Sequence, residues 1–534
     1  MESERRRFLR TLSALAAGSA IPSVATSANV IPSTVIIDPR PLFDISPYLY
    51  MQFMEPLGIT DGSVEAAWDY EADDWRQDLI NVVKELSPDV IRFGGLYSRY
   101  YKWREGVGTP RRRPVMRNYA WGGIESNRVG THEFVTFCRR VGAEPLYCVN
   151  FQSDGERRYW KTSEGEIRTA DATEAADWVS YANDPDDRER KQHGTMEPFN
   201  IKLWQLGNET SYDKECLTKE QAIQHTVEFA KVMRQRDPSI QLIGWGDRGP
   251  GPNDPFWASD LLQRAGEYLD YVAIHMMGLH PARADTALKG WRYQQEPERA
   301  WEELLELSSW PEKRVKEFEE AIASANPRFG IAVTEGHLSL SPYNSNPILY
   351  EWLTGVFHAR CLNAFQRHGA RVKIATAADF FGTRWTVNAV MMPVPGGSSY
   401  LMPVGSVMRL FKRHNGRQGV AVTSAPSNLD IAASRSGDCV YLHVANSNYS
   451  RSCEVTFAVQ GKTIMGGRVY EIAPENPRAH VSETEPNVFA PVRKPLETRP
   501  RPTWRFPPRS VSAVELELNS EQTRRVRAEM TASG

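Results

Sequence analysis

The chain has 534 residues, with 64 Lys and Arg against 66 Asp and Glu, a formal net charge of −2. That length holds one large domain and a smaller one with ample core, and the near-neutral balance excludes a field that would draw it to nucleic acid or anionic lipid. Six cysteines make no disulfide framework in a chain this long.

The first residues carry Arg5-Arg6-Arg7-Phe8-Leu9, followed by an Ala-, Leu- and Ser-rich run to Ala28. Residues 1–28 are therefore expected to be a twin-arginine-type signal, which sends the protein to the periplasm or outside the cell. Gly18, Ser19 and Pro22 interrupt the apolar part, which is too short to span a bilayer, and no Cys offers a lipid anchor. No later run is long and apolar enough for a span, so no membrane partner is expected.

Thr34–Asp38 then reads as a short strand, and residues 29–45 are expected to join an all-β domain further on. From residue 46 to 394 apolar strands alternate with amphipathic helices. The predicted strands are Leu49–Phe53, Val90–Phe93, Pro145–Asn150, Leu203–Gly207, Gln241–Trp245, Tyr271–His275, Gly330–Thr334 and Ile374–Asp379. Helical periodicity marks Trp75–Leu86, Thr131–Val141, Lys219–Gln235, Pro255–Ala265, Pro311–Ala325 and Ile348–His368. This rhythm predicts an α/β fold, a (β/α)8 TIM barrel with long loops; an open doubly wound sheet is the alternative.

Beyond Pro395-Gly396-Gly397 the character changes. A helical pattern around Met408 precedes alternating strands at Asp430–Ala433, Cys439–Ala445, Cys453–Val459, Gly467–Glu471 and Ser510–Leu518. Residues 395–520 are thus expected to form a β-sandwich. Pro474–Pro508, rich in Pro and charge, reads as irregular connection, and residues 521–534 as a disordered tail. Cys439 and Cys453 flank a predicted turn at Asn446–Ser452, with unpaired burial the expectation for both.

Two strands share an unusual ending. Leu203-Trp-Gln-Leu-Gly-Asn-Glu209 and Ile331-Ala-Val-Thr-Glu335 each run apolar and then deliver a carboxylate. An isolated strand-end Glu is as often a plain surface residue. In a barrel, however, chemistry sits at the C-terminal strand ends, and strands four and seven face each other across the mouth. Two such carboxylates are the minimum equipment of a retaining glycosidase, which needs them about 5–5.5 Å apart. Arg92, ending the second strand, is placed to reach Glu335 and keep it ionised, and Asn208 can bond a sugar hydroxyl.

Three other motifs fall away. Gly244-Trp-Gly-Asp-Arg-Gly249 fits a dinucleotide fingerprint, but Pro250, Pro252 and Pro255 forbid the helix that must start there. His132-Glu133 opens like a zinc-protease helix, yet position 136 is Thr. His275 and His280 have no third partner at a recognisable spacing. Neither a metal nor another cofactor is implied.

The barrel half also resembles glycoside hydrolase family 51, within the clan of barrel glycosidases (clan A) whose acid/base and nucleophile stand on strands four and seven. The likeness runs through Gln52-Phe-Met-Glu-Pro-Leu-Gly58, Ile91-Arg-Phe-Gly-Gly95, Tyr101-Lys-Trp-Arg-Glu-Gly-Val-Gly108, Arg113-Pro114, Trp121 with Glu125-Ser-Asn127, Gly130-Thr-His-Glu-Phe134, Val141-Gly-Ala-Glu-Pro145, Val149-Asn150 and Glu197 to Glu209. It implies a retaining α-L-arabinofuranosidase acting on a carbohydrate, with Glu209 as acid/base and Glu335 as nucleophile. Glu55, Arg92, Asn208 and His275 become contacts to the sugar. Several positions depart from the family pattern. Leu96 follows the paired glycines where Asn is usual, Met276-Met277 follow His275 where a Tyr is usual, and Gly336-His337 follow the second Glu in place of Trp-Asn. Near Trp385 a sugar-binding Gln is missing. A xyloside, another furanoside or a uronic-acid glycoside therefore stays open as substrate, as does a carbohydrate-binding barrel without turnover. His337 either bonds a substrate hydroxyl or orients Glu335.

Overall fold

A computed structural model describes residues 33–162, 165–251, 253–277, 283–323 and 329–519. The expected signal (1–28) and tail (521–534) lie outside them, as does His280. Eight parallel strands run in sequential order: Met51–Met54, Val90–Phe93, Glu144–Val149, Leu203–Leu206, Gln241–Trp245, Tyr271–Met276, Gly330–Gly336 and Val372–Ala375. A parallel bridge between Tyr50 and Ala375 links the eighth strand to the first. The sheet thereby closes into a barrel. Strands buried on both faces need apolar side chains throughout, which is why they read as unbroken runs. Leu203, Trp204 and Leu206 are fully buried, each contributing about 1.5–3 kcal/mol relative to exposure.

Several boundaries differ from the sequence expectation. The eighth strand is Val372–Ala375. Asp379 instead opens a small three-stranded sheet, Asp379–Gly382, Asn388–Met391 and Tyr400–Leu401, whose first strand lies against the first barrel strand. A helix at Ala172–Asn183 follows the third strand; its apolar residues occupy most of its circumference, so the amphipathic signal is weak. The helix Pro403–Arg413, which a boundary at 395 assigns to the all-β region, packs against the barrel helices Gln77–Leu86 and Gly355–Arg367. It is the eighth helix of the barrel ring.

Apart from two short two-stranded ribbons, Trp68–Asp69 with Asp74–Trp75 and Met116–Arg117 with Ile124–Glu125, the remaining strands make one nine-stranded sheet that curls over its own core. Ser33–Asp44 is interior to it, antiparallel to Gln418–Ser424 and parallel to Cys453–Val459. Val35, Ile37, Val440, Leu442, Val455, Phe457, Val514 and Leu516 fill the fold. Trp504, on the strand at one edge, donates to Glu471, near the other, at 3.3 Å, so the two ends meet. The Pro474–Pro508 stretch is not wholly irregular: it contributes the two edge strands, Val492–Leu496 and Thr503–Phe506. Pro495 is tolerated because an edge strand has no second partner for the missing N–H. Cys439 and Cys453 are both free thiols, on strands that are not neighbours in this sheet.

The sheet domain bears on the barrel helix Gly355–Arg367 through its Leu429–Ser436 and Cys439–Asn446 strands. Asp430 accepts from Asn363 at 2.8 Å and from Arg367 at 2.9 Å, and Trp352 donates to the Arg509 carbonyl at 2.9 Å. The two domains share polar as well as apolar contact.

Candidate active site

The fourth strand ends in a strained turn. Gly207 has φ +79° and Glu209 φ +54°; both left-handed values cost a non-glycine residue about 1–2 kcal/mol. A Cβ on Gly207 would lie 2.5 Å from the Thr210 hydroxyl and 2.9 Å from the Asp154 carboxylate, so only glycine fits. Asp154 holds the turn by accepting from the Asn208 N–H at 3.1 Å and from Thr210 Oγ1 at 2.5 Å. Arg99 pairs with Asp154 at 3.4 Å and donates to the carbonyls of Asn208 and Glu209 at 2.9 and 3.2 Å. These contacts aim Glu209 while leaving its own side chain partly accessible.

Glu335 arrives on the seventh strand, buried throughout. Arg92, without exposed surface, spends its planar fork on three partners. It donates to Glu335 Oε1 at 2.8 Å, to Asn208 Oδ1 at 2.6 Å and to Gln205 Oε1 at 2.7 Å. One guanidinium thus ties the second, fourth and seventh strands together. The Nδ2 of Asn208 is buried with no protein partner.

His275, at the end of the sixth strand, points Nδ1 at both acids, 3.1 Å from Glu209 Oε1 and 3.7 Å from Glu335 Oε2. Its Nε2 lies 3.1 Å from Thr334 Oγ1. Ligand-type atoms of Glu209, His275 and Glu335 all fall within 4.8 Å of one another. Spacing along the chain hid this group, because Glu209 is 66 positions from His275. The partners of His275 thus come from residues at no recognisable spacing from it. Asp247, the acid of the discarded glycine motif, accepts from the His275 N–H at 3.1 Å and from the Tyr212 hydroxyl at 2.7 Å, and Trp245 meets the imidazole edge-to-face at 4.6 Å.

The electrostatics divide the acids. Burial raises Glu209 and raises Glu335, where the positive charge of His275, when it is protonated, and of Arg92 opposes it. Arg99 and Arg92 oppose the burial of Glu209 as well, but Arg92 hydrogen-bonds only to Glu335 of the two acids, a contact that favours the ionised form there. Burial lowers His275 to about 4, so its imidazole is neutral at neutral pH. The network then fits Nδ1–H donating to Glu209 and Nε2 accepting from the Thr334 hydroxyl.

Glu55 follows the first strand and accepts from the Tyr97 N–H at 2.8 Å and Trp121 Nε1 at 2.9 Å. Burial and then the Glu335 charge push it well above the usual carboxylate range. Gly95, at φ +109°, makes room for it: a Cβ there would sit 2.3 Å from Glu55 Oε2. His337 uses both nitrogens, Nδ1 at 2.7 Å from Asp379 and Nε2 at 2.9 Å from Ser339 Oγ, whose hydroxyl passes to Asn344 at 3.0 Å. Burial works against its charge, but the Asp379 carboxylate outweighs it and the histidine is raised. His337 touches neither Glu209 nor Glu335 through a hydrogen bond.

These groups surround a cavity of about 130 Å³ that Glu55, Glu209, Glu335 and His337 all line. Trp385 meets Trp121 and Tyr343 edge-to-face at 5.3 and 6.3 Å. The loop carrying Trp385 is knotted by buried Asp61, which accepts from the N–H groups of Thr383, Arg384 and Trp385 and from Asn388. The departures at Leu96, Met277, His337 and Trp385 all line this one cavity. The structure gathers the acids, Arg92, His275, Glu55 and His337 at one barrel end. Gln205, Arg99, Asp154, Asp247, Asp379 and Asp61 are polar residues that sequence reasoning missed.

Comparison with known proteins agrees with this architecture. Residues 82–294 match the description "Alpha-L-arabinofuranosidase 1 domain" and residues 343–510 "Alpha-L-arabinofuranosidase C-terminal domain". A probable α-L-arabinofuranosidase C of Aspergillus terreus is 30% identical over 288 residues, 52% of this chain and 54% of the relative. An intracellular exo-α-(1→5)-L-arabinofuranosidase of Acetivibrio thermocellus is 32% identical over 243 residues, 43% of this chain and 45% of its own. The chain spans about half the length of these curated relatives. Among solved structures, an α-L-arabinofuranosidase of Thermotoga maritima in an arabinose complex superposes with TM-score 0.69 at 24% identity, over 91% of this chain and 100% of that one. A family 51 α-L-arabinofuranosidase of Bifidobacterium longum gives 0.75 at 20%, over 91% and 99%. At such identities the superpositions establish the shared fold.

Proposed function

We infer that this chain, a relative of the family 51 α-L-arabinofuranosidases in both its barrel and its sheet domain, is an exported retaining glycosidase. It removes terminal α-L-arabinofuranosyl units from polysaccharide or oligosaccharide. The observation that carries this reading is the asymmetric placement of Arg92, bonded to one of two close carboxyls and not the other. Glu335, ionised against the guanidinium, attacks the anomeric carbon. Glu209, kept protonated by burial, gives its proton to the departing oxygen. Glu209 then takes a proton from water, whose oxygen displaces Glu335 and restores both acids. An inverting enzyme holds its carboxyls about 6.5–9.5 Å apart to seat a water between them. Acid oxygens within 4.8 Å of each other support double displacement instead.

Room for a single sugar ring supports removal of end units. The cavity, about 130 Å³, is well under the roughly 300 Å³ at which pockets for larger ligands begin. Asn208, through its unpartnered Nδ2, and the carboxyl of Glu55 are the proposed hydroxyl contacts. A panel of nitrophenyl glycosides tests the assignment, with α-L-arabinofuranoside expected to turn over fastest. A faster xyloside or glucuronide would move the substrate while keeping the chemistry; no turnover of any glycoside, with arabinose still bound, would favour the sugar-binding barrel. The export reading rests on Arg5-Arg6-Arg7-Phe8-Leu9. Changing Arg6 and Arg7 to Lys should hold the protein in the cytoplasm, and unchanged export would refute a twin-arginine route.

A further inference from the structure

We propose that Glu209, His275 and Glu335 also form a binding site for a divalent transition ion, Zn2+ above all, whose occupancy shuts the enzyme off. Three donor atoms already converge: His275 Nδ1 stands 3.1 Å from Glu209 Oε1 and 3.7 Å from Glu335 Oε2, and the two acids close the triangle within 4.8 Å. Ligand atoms about 2.1 Å from a tetrahedral zinc lie about 3.4 Å from each other. Two edges bracket that value, and a small swing of the partly accessible Glu209 side chain shortens the third.

The surroundings are those of a metal site. An ion on Nδ1 displaces the proton there and selects the tautomer protonated at Nε2, which then donates to Thr334 Oγ1 at 3.1 Å, the kind of outer contact that orients a ligating histidine. Arg92 occupies Glu335 Oε1 and leaves Oε2 facing His275. The adjoining cavity leaves the fourth position to water. One imidazole and two carboxylates suit Zn2+, Ni2+ or Cu2+. They are too few oxygens for Ca2+, which takes about 6–8, or for the hydrated octahedron of Mg2+. An ion here ties up the attacking oxygen of Glu335 and takes the place of the proton on Glu209. It is an inhibitor and no part of the reaction.

The shut-off rests on the roles proposed above for the two acids, whereas the binding does not. The two are therefore measured separately on the full chain. Co2+ should give a visible absorption of low-symmetry, four- or five-coordinate type at one equivalent, displaced by Zn2+, with Zn2+ calorimetry giving one site. His275→Ala should abolish both signals. Thr334→Val, which keeps all three ligands, should weaken Zn2+ by about tenfold or more, so the proposal stays testable if the alanine variant does not fold. Arabinose should compete with the ion. Zn2+ should then lower aryl glycoside turnover in competition with substrate, EDTA should restore it, and Mg2+ and Ca2+ should leave it alone. Absence of Co2+ and Zn2+ binding, or binding untouched by His275→Ala, would overturn the site. Histidine-dependent binding in a chain that turns over no glycoside would uphold the site and sink the glycosidase reading instead.

Discussion

Replacing Arg92 with Met removes the charge at nearly constant volume and exposes what the fork does. Its three donor bonds disappear, leaving the oxygens of Glu335, Asn208 and Gln205 without their partner in a fully buried place. Breaking one side of a buried ion pair costs about 3–5 kcal/mol. If that whole cost fell on the ionised nucleophile, then at about 1.36 kcal/mol per decade kcat/KM would drop by about 10²–10⁴. The sign of the pH effect follows separately. Burial raises Glu335 and Arg92 opposes it, so removing Arg92 raises the acid further. The acidic limb of kcat/KM, where Glu335 loses its proton, must move to higher pH by at least about one unit, because one unit is worth only 1.36 kcal/mol. The assay is aryl arabinofuranoside hydrolysis across pH, with thermal unfolding measured on the same samples. A large loss of rate with the acidic limb unmoved would refute the argument, since Arg92 would then be only a strand tie.

Three further outcomes are expected. Glu335→Ala should abolish turnover of even activated aryl glycosides, and retained activity would remove it from the reaction. Glu209→Ala should slow poor leaving groups far more than good ones, with azide restoring rate as a glycosyl azide; equal losses on both would argue against an acid/base role. Gly207→Ala, with a φ of +79° and a Cβ 2.5 Å from Thr210 Oγ1, should lose at least about 1–2 kcal/mol of stability and misplace Glu209. An unchanged melting temperature would show that the turn relaxes freely.

Much of this molecule is legible in its sequence. The strand bearing Glu335, Gly330–Gly336, is buried at every position, and such strands announce themselves as apolar runs between helices. Local periodicity failed where burial was one-sided or brief. Val492–Leu496 is a short edge strand containing Pro, and Val372–Ala375 stops earlier than the apolar run that continues through Ala375 to Ala378. At the site, the acids were visible because each ends its own strand. Asp154, Asp247 and Asp61 were not, since an aspartate in a loop looks the same in sequence whether it is solvated or holds a catalytic turn.

The order of strands and helices, the two acids at strand ends and the change to an all-β half belong to the sequence itself, because periodicity and turn chemistry act over a few residues. The company each acid keeps was settled only in three dimensions. The pairing of Arg92 with Glu335 follows from placing both at strand ends of one barrel, but that the same guanidinium also holds Asn208 and Gln205 while His275 faces both acids depends on barrel closure, which brings the ends of strands two, four, six and seven to one rim. Side-chain chemistry at that rim is governed by distances of about 3 Å between groups tens to hundreds of positions apart, and linear spacing carries no record of them.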